Sequence, residues 1–174
     1  MSVRVGVQLT LVMVLVAATS TYLLWLIYGT SAGIQACVTL LIALAGEHYV
    51  SGQGYYHYTS KNGLFIGRVP LWIPFMWVAV VQLVSLVPIL LGVPDHGICI
   101  VAGLLGCSLD LYLVEPVLCK IQRLWNWTPV KNGYFSFIPS QLNRFVAPIG
   151  NYFVWFLFPL LMALFLQICS LALC

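Results

Sequence analysis

The chain has 174 residues, 62% of them hydrophobic and only 6% charged, with a net charge of +3. Its mean hydropathy is +1.03. This composition excludes an ordinary water-soluble domain, whose charged fraction is about four times higher.

Five stretches are apolar and long enough to cross about 30 Å of hydrocarbon at about 1.5 Å per residue. They cover residues 7–28, 33–50, 70–91, 98–118 and 148–173. The expectation is an all-α fold, a polytopic transmembrane bundle of five helices forming a single integral membrane domain over 1–174. The first stretch follows Arg4 and runs through Tyr28 without a clear small-residue cleavage site. It is about twice the usual apolar core of a signal peptide, so it reads as a retained helix.

An odd number of spans puts the N-terminus, the 51–69 loop and the 119–147 loop on one side. All seven basic residues fall there: Arg4, Lys61, Arg68, Lys120, Arg123, Lys131 and Arg144. The positive-inside rule makes that side cytoplasmic and leaves the C-terminus outside, which predicts a multi-pass protein of the cell membrane. The charges are spread over two loops and form no dense stripe for nucleic acid. Membrane lipid headgroups are the expected electrostatic partner. The six cysteines (Cys37, Cys99, Cys107, Cys119, Cys169 and Cys174) include no C-x-x-C pair. They read as small apolar helix residues, with neither a disulfide framework nor a metal site.

Four carboxylates occur in the whole chain. Asp95 lies in a loop, whereas Glu47, Asp110 and Glu115 sit within or against the apolar stretches. A carboxylate at membrane depth costs several kcal/mol unless it is paired, hydrated or protonated.

In chain order, the second helix ends in Gly46-Glu47-His48-Tyr49, and Gly52 and Gly54 then break it. Tyr55, Tyr56 and Tyr58 follow, with His57 among them. They suit an aromatic belt at the membrane interface, or a site beside Glu47. The third helix places Pro70 in its first turn and Pro74 one turn later, which predicts a kink. Trp72 and Trp77 read as anchors or packing residues.

The fourth helix carries Asp110 and Glu115. Five residues turn an α-helix by about 500°, leaving these acids about 140° apart and off a common face. Pro116 predicts that the helix bends or ends at Glu115. Each acid is either a site residue or the buried partner of a loop arginine, Arg123 or Arg144. Trp125 and Trp127 alternate in the next loop. The fifth helix opens with Pro148, Asn151, Tyr152 and Trp155, and Asn151 shares a face with Trp155. Asn151 is either a structural cap or interhelical bond, or part of a site. These placements gather Glu47, Glu115, Asn151 and the aromatics in the cytoplasmic half, with Asp110 deeper. The expected site is a pocket opening towards the inner leaflet.

Three histidines cannot ligate a membrane di-iron centre, and no H-E-x-x-H, D-D-x-x-D or G-x-x-x-x-G-K-[ST] pattern occurs. Acid–base chemistry on an apolar substrate, without a cofactor, remains. A carboxyl in a low-dielectric setting can keep its proton near neutrality and act as an acid. Aromatic faces can stabilise a developing cation. These are the requirements for protonating an isoprenoid double bond.

Several pieces in order resemble the membrane-bound carotenoid biosynthesis protein family, which includes the bisanhydrobacterioruberin and γ-carotene hydratases. They are Glu47 with Gly54-Tyr55-Tyr56-His57-Tyr58, then Gly67-Arg68-Val69-Pro70-Leu71-Trp72-Ile73-Pro74, then Asp110 with Glu115-Pro116-Val117. Trp125-x-Trp127 and Pro148-Ile149-Gly150-Asn151-Tyr152-x-x-Trp155 complete the set. The similarity spans residues 47–156, with an Ile138-Pro139-x-x-x-Asn143 stretch that offers a second alignment. Family members are usually longer, with further apolar segments. The resemblance implies cofactor-independent addition of water to the terminal double bond of an acyclic carotenoid. It makes Glu47, Asp110 and Glu115 the catalytic acid/base candidates and Asn151 and Tyr152 the holders of water. Trp125, Trp127 and Trp155, with Tyr55, Tyr56 and Tyr58, would line the substrate or shield the cation.

A different class also fits the sequence. Buried acids with proline-broken helices occur in non-catalytic membrane proteins, such as a subunit of a larger complex or a small-solute carrier. The absence of an internal repeat weakens the carrier version.

Overall fold

The computed structural model describes residues 2–128 and 147–173. Lys131, Arg144 and the Ile138-Pro139-x-x-x-Asn143 stretch that offers a second alignment lie outside the described residues. Among the described residues, five helices are long and apolar enough to cross a membrane. They are α1 (Ser2–Tyr28), α2 (Thr30–Gly52), α3 (Trp72–Leu90), α4 (Asp95–Leu109) continued by a π-helix (Asp110–Ile121), and α5 (Ile149–Leu173). Gly29 is the whole connection between α1 and α2, and its φ of 56° is one that side-chain-bearing residues rarely adopt.

The third helix is the centre of the bundle. Buried residues make up 72% of its apolar window, against 17% to 33% in the other four. A helix apolar on every side belongs in a core, and α3 packs against each of the others. Trp72, Ile73, Met76, Trp77 and Val80 form that core with Ala43 of α2, Ala102 of α4 and Trp155 of α5. A buried polar cluster ties four helices together at its other end. Ser20 and Thr21 of α1 each donate to Gln82 Oε1 of α3 at 2.8 Å. Gln35 Nε2 of α2 donates to the Met162 carbonyl of α5 at 2.9 Å. Such bonds contribute about 0.6 kcal/mol each on average inside a membrane bundle.

The α4–α5 contact depends on missing side chains. A Cβ on Gly103 would lie 2.7 Å from the Phe156 carbonyl oxygen, and one on Gly106 2.5 Å from that of Trp155. Gly103 and Gly106 are three apart on one face of α4, so the two backbones approach as closely as small residues permit. Asp110 lies one turn beyond Gly106, and Asn151 one turn before Trp155. This contact therefore sets their separation.

Three features differ from the sequence expectation. The end carrying the 53–71 loop is not wholly helical. There β1 (Tyr56–Tyr58) pairs antiparallel with β4 (Trp125–Trp127), and β2 (Phe65–Ile66) with β3 (Val69–Pro70). Second, Pro70 belongs to β3, and Pro74 is the third residue of α3. An N–H there has no helical acceptor, so the proline costs no hydrogen bond and forces no kink. Third, the fourth span does not end at Glu115 but runs on to Ile121 as a π-helix. Pro116 lacks an N–H and its ring would clash with the carbonyl four residues back in an α-helix. The wider π turn accommodates it.

Asn62 locks the loop to the bundle. Its Nδ2 donates to the carbonyls of Thr59 (2.9 Å) and Leu124 (2.5 Å), and its Oδ1 accepts from Trp72 Nε1 at 3.1 Å. The Asn62 backbone also lies directly against Gly6 of α1. Trp72 is thus a buried hydrogen-bonding residue and not an interfacial anchor.

The glycine contact gives a direct test. Gly106→Val should lower resistance to thermal unfolding in detergent by about 1–3 kcal/mol, the usual cost of overpacking. Gly46→Ala, where a Cβ meets nothing within 4 Å, should leave it unchanged.

Candidate active site

The pairing of β1 with β4 organises the aromatic side chains. Tyr56 faces Trp127, His57 faces Asn126, and Tyr58 faces Trp125. Successive side chains of a strand point to opposite faces, so the two tyrosines and two tryptophans share one face. Tyr56 packs edge-on against Trp127 at 4.9 Å between ring centroids, and Tyr58 against Trp125 at 6.3 Å.

That face meets the acids. Glu47 Oε2 accepts hydrogen bonds from the hydroxyls of Tyr56 and Tyr58, the latter at 2.7 Å. Glu47 Oε1 accepts from Trp77 Nε1 at 2.8 Å. Trp77 in turn lies against Trp155, with centroids 4.3 Å apart. The sequence expectation for Trp77 was an anchor or packing role, and its bond to Glu47 adds it to the site. Its position gave one signal: an indole N–H buried among apolar residues needs an acceptor. Burial and the adjacent Glu47 carboxyl push the phenols of Tyr56 and Tyr58 well above their ordinary pKa. Both remain hydrogen-bond donors throughout the neutral range.

The π-helix corrects the geometry expected of the other two acids. It closes each hydrogen bond one residue later than an α-helix, so residues five apart return to nearly the same face. Asp110 and Glu115 are five apart, and one carboxamide reaches both. Asn151 Nδ2 donates to Asp110 Oδ2 at 2.6 Å and lies 3.4 Å from Glu115 Oε1. Trp127 Nε1 donates to Glu115 Oε2 at 3.0 Å. Asp110 is 0% and Glu115 2% exposed. Among the described residues, Asp110 Oδ1 has no hydrogen-bond partner.

Among the described residues, the side chains that donate to the three acids include phenols, indoles and an amide. Arg123, one of the two arginines expected as an anchor, instead lies exposed beyond the π-helix with a φ of 56°. The other, Arg144, is outside the described residues.

Two cavities meet at this cluster. The larger has a volume of about 370 Å³ and is walled mainly by Ile42, Ala43 and Val50 of α2 and by Val154 and Phe158 of α5. Its volume is within the range of small-molecule sites. Gly46 and Gly150 are exposed at its edge, each with open space where a Cβ would stand. Its opening therefore lies between α2 and α5. The smaller chamber, about 40 Å³, is bounded by Glu47, Tyr58, Val114, Glu115, Trp125 and Trp155, among others. Glu47, Tyr56, Trp127 and Asn151 border both spaces.

Of the residues singled out in the sequence, Glu47, Tyr56, Tyr58, Asp110, Glu115, Trp125, Trp127, Asn151 and Trp155 converge here. Tyr55 is largely exposed and borders only the larger cavity. Tyr152 is placed differently: it borders neither cavity, and its hydroxyl accepts from the Ala147 N–H at 3.2 Å. Among the described residues, no group of three His, Cys, Asp or Glu is arranged to hold a metal ion.

The phenols supply a prediction. A group whose pKa is raised on folding contributes stability that is complete below its unfolded value, about 10 for tyrosine, and lost as pH climbs above it. In alkaline difference spectra, Tyr56→Phe/Tyr58→Phe should retain all the tyrosinate absorbance that wild type develops near pH 10. Loss of two tyrosines' worth at that pH would contradict the placement.

No protein-family model matches the chain, and no curated protein or solved structure matches it.

Proposed function

We propose that this protein is a membrane enzyme that adds water, by acid catalysis, to the terminal double bond of an apolar isoprenoid chain of the acyclic carotenoid class. The observation that carries this reading is one apolar cavity bordered by Glu47 and Asn151, with two further carboxyl groups joined to Asn151 behind it. An apolar chain end suits such walls, and a carboxyl at the wall suits proton transfer to carbon. The ordered sequence resemblance to carotenoid hydratases supports the same substrate class.

In this reading the five helices lie in the cell membrane. The end bearing Arg4, Lys61, Arg68, Lys120 and Arg123 faces the cytoplasm, as the charge bias favours. The opening between α2 and α5 then faces lipid at the level of the inner leaflet. A substrate dissolved in the bilayer would enter sideways with only its end inside.

Glu47 is the only carboxyl, among the described residues, that borders the larger cavity. It gives its proton to the less substituted carbon of the double bond, leaving a tertiary cation at the other. The Tyr56, Tyr58 and Trp77 donors stabilise the carboxylate that forms on Glu47 as the proton leaves. The face of Trp127, which borders both spaces, shields the cation. Water adds to the cation and releases one proton, so the sum is alkene plus water giving a tertiary alcohol. Asp110 borders neither cavity and acts by holding Asn151.

Expression in a lycopene-producing host tests the proposal. Wild type should yield a more polar carotenoid heavier by one water. Glu47→Gln and Glu115→Gln should each lower its formation by about 10²-fold or more, in the range expected for lost general acid–base groups. Asp110→Asn should have a smaller effect. An unchanged pigment profile with wild type, together with co-purification of stoichiometric membrane partners, would favour the non-catalytic subunit instead.

A further inference from the structure

We propose that the small chamber between Glu47 and Glu115 is a dedicated water-binding site, separate from the cavity that takes the apolar substrate, and that Glu115 is the base that receives the water's proton. This rests on the hydratase reading above and deepens it by dividing the site into two compartments.

The division follows from which residues border each space. The larger cavity is almost wholly apolar and has Glu47 as its one carboxyl among the described residues. The smaller has both Glu47 and Glu115, with Tyr58 and Asn151 beside them. A water needs about 10–15 Å³ of such space and two to four polar partners. The chamber offers about 40 Å³ and the polar side chains of Glu47, Tyr56, Tyr58, Glu115 and Asn151, enough for about one to three waters. An isoprenoid end does not fit there.

The four residues common to both spaces form the boundary, and none is aliphatic: Glu47, Tyr56, Trp127 and Asn151. Water in the chamber therefore sits behind the boundary that the substrate end reaches from the other side. The remaining chamber walls, Ile73, Met76, Val114, Trp125 and Trp155, are buried side chains that limit its size.

The chemistry balances within these groups. Glu47 transfers its proton to carbon and the alkene π pair forms the new C–H bond. A lone pair of the chamber water forms the C–O bond to the cation. The excess proton on that oxygen passes to the Glu115 carboxylate, and from there returns to Glu47 through the next water. Without water in place, the cation can only give a proton back to the Glu47 carboxylate and revert to alkene. In D2O, reversal that removes a hydrogen other than the deuteron just added, from the same carbon or from a methyl beside the cation, leaves deuterium in the recovered alkene.

Val114 borders the chamber and not the larger cavity, so enlarging it fills only the water compartment. The test measures hydrated product and deuterium incorporation into recovered lycopene, with purified protein in D2O-equilibrated vesicles. Val114→Phe should reduce hydration by about tenfold or more, the scale on which small misplacements act, while deuterium incorporation persists. Val114→Ile, a one-methylene change that a core tolerates better, should reduce hydration less and also keep the exchange. Folded variants that hydrate as well as wild type, or that lose hydration and exchange together, would overturn the chamber assignment while wild-type hydration upholds the broader reading. Wild-type protein that neither hydrates nor exchanges would overturn both.

Discussion

One amide group holds the site together. Asn151 Nδ2 lies 2.6 Å from Asp110 and 3.4 Å from Glu115, and it bridges α5 to the π-helix at a depth where carboxyl groups are costly. Two separate devices make this possible. Gly103 and Gly106 let α5 approach α4 at backbone distance, and the π-helix turns Asp110 and Glu115 onto one face. Pro116 ties the second device to the sequence, because an α-helical ladder cannot pass through it without loss. A polar group buried without a partner costs about 1–3 kcal/mol. Among the described residues, Asp110 Oδ1 has no hydrogen-bond partner, the kind of unsatisfied group that functional sites often carry.

Glu47 is held differently. Its partners come from a two-stranded aromatic ribbon and from the central helix, so three parts of the chain must be in place before its carboxyl is oriented. The same ribbon supplies Trp127 to Glu115. It therefore acts as a lid of hydrogen-bond donors over the acids, and Asn62 fastens it to α3 through Trp72. The apolar space beside Glu47 and the polar space beside Glu115 then give one site two solvents: a hydrocarbon-like compartment and a wet one.

Much of this was legible in the sequence. Hydropathy alone located the five helices to within a few residues, and the scarcity of acids singled out Glu47, Asp110 and Glu115. The order of motifs brought Asn151, Trp127 and Trp155 to the same end. What escaped was local geometry. Tyr56-His57-Tyr58 and Trp125-Asn126-Trp127 alternate with period two, which is a strand signal, yet three-residue strands are too short to stand out beside long helices. The 140° separation assigned to Asp110 and Glu115 assumed α-helical geometry, and nothing but Pro116 hinted that another helix type would replace it. Trp77 and Asn62 carry no motif at all. Their roles arise from contacts between residues 30 and 62 positions apart, which no local pattern encodes.

The shared amide is best tested by a double-mutant cycle on resistance to unfolding in detergent, using Asn151→Ala, Asp110→Ala and the pair. Residues in one buried network couple by about 0.5–3 kcal/mol, whereas independent sites add to within about 0.3–0.5 kcal/mol. A coupling in the upper range is expected here, with the double variant destabilised by less than the sum of the single ones. Strictly additive effects would contradict the bond on which the site is built.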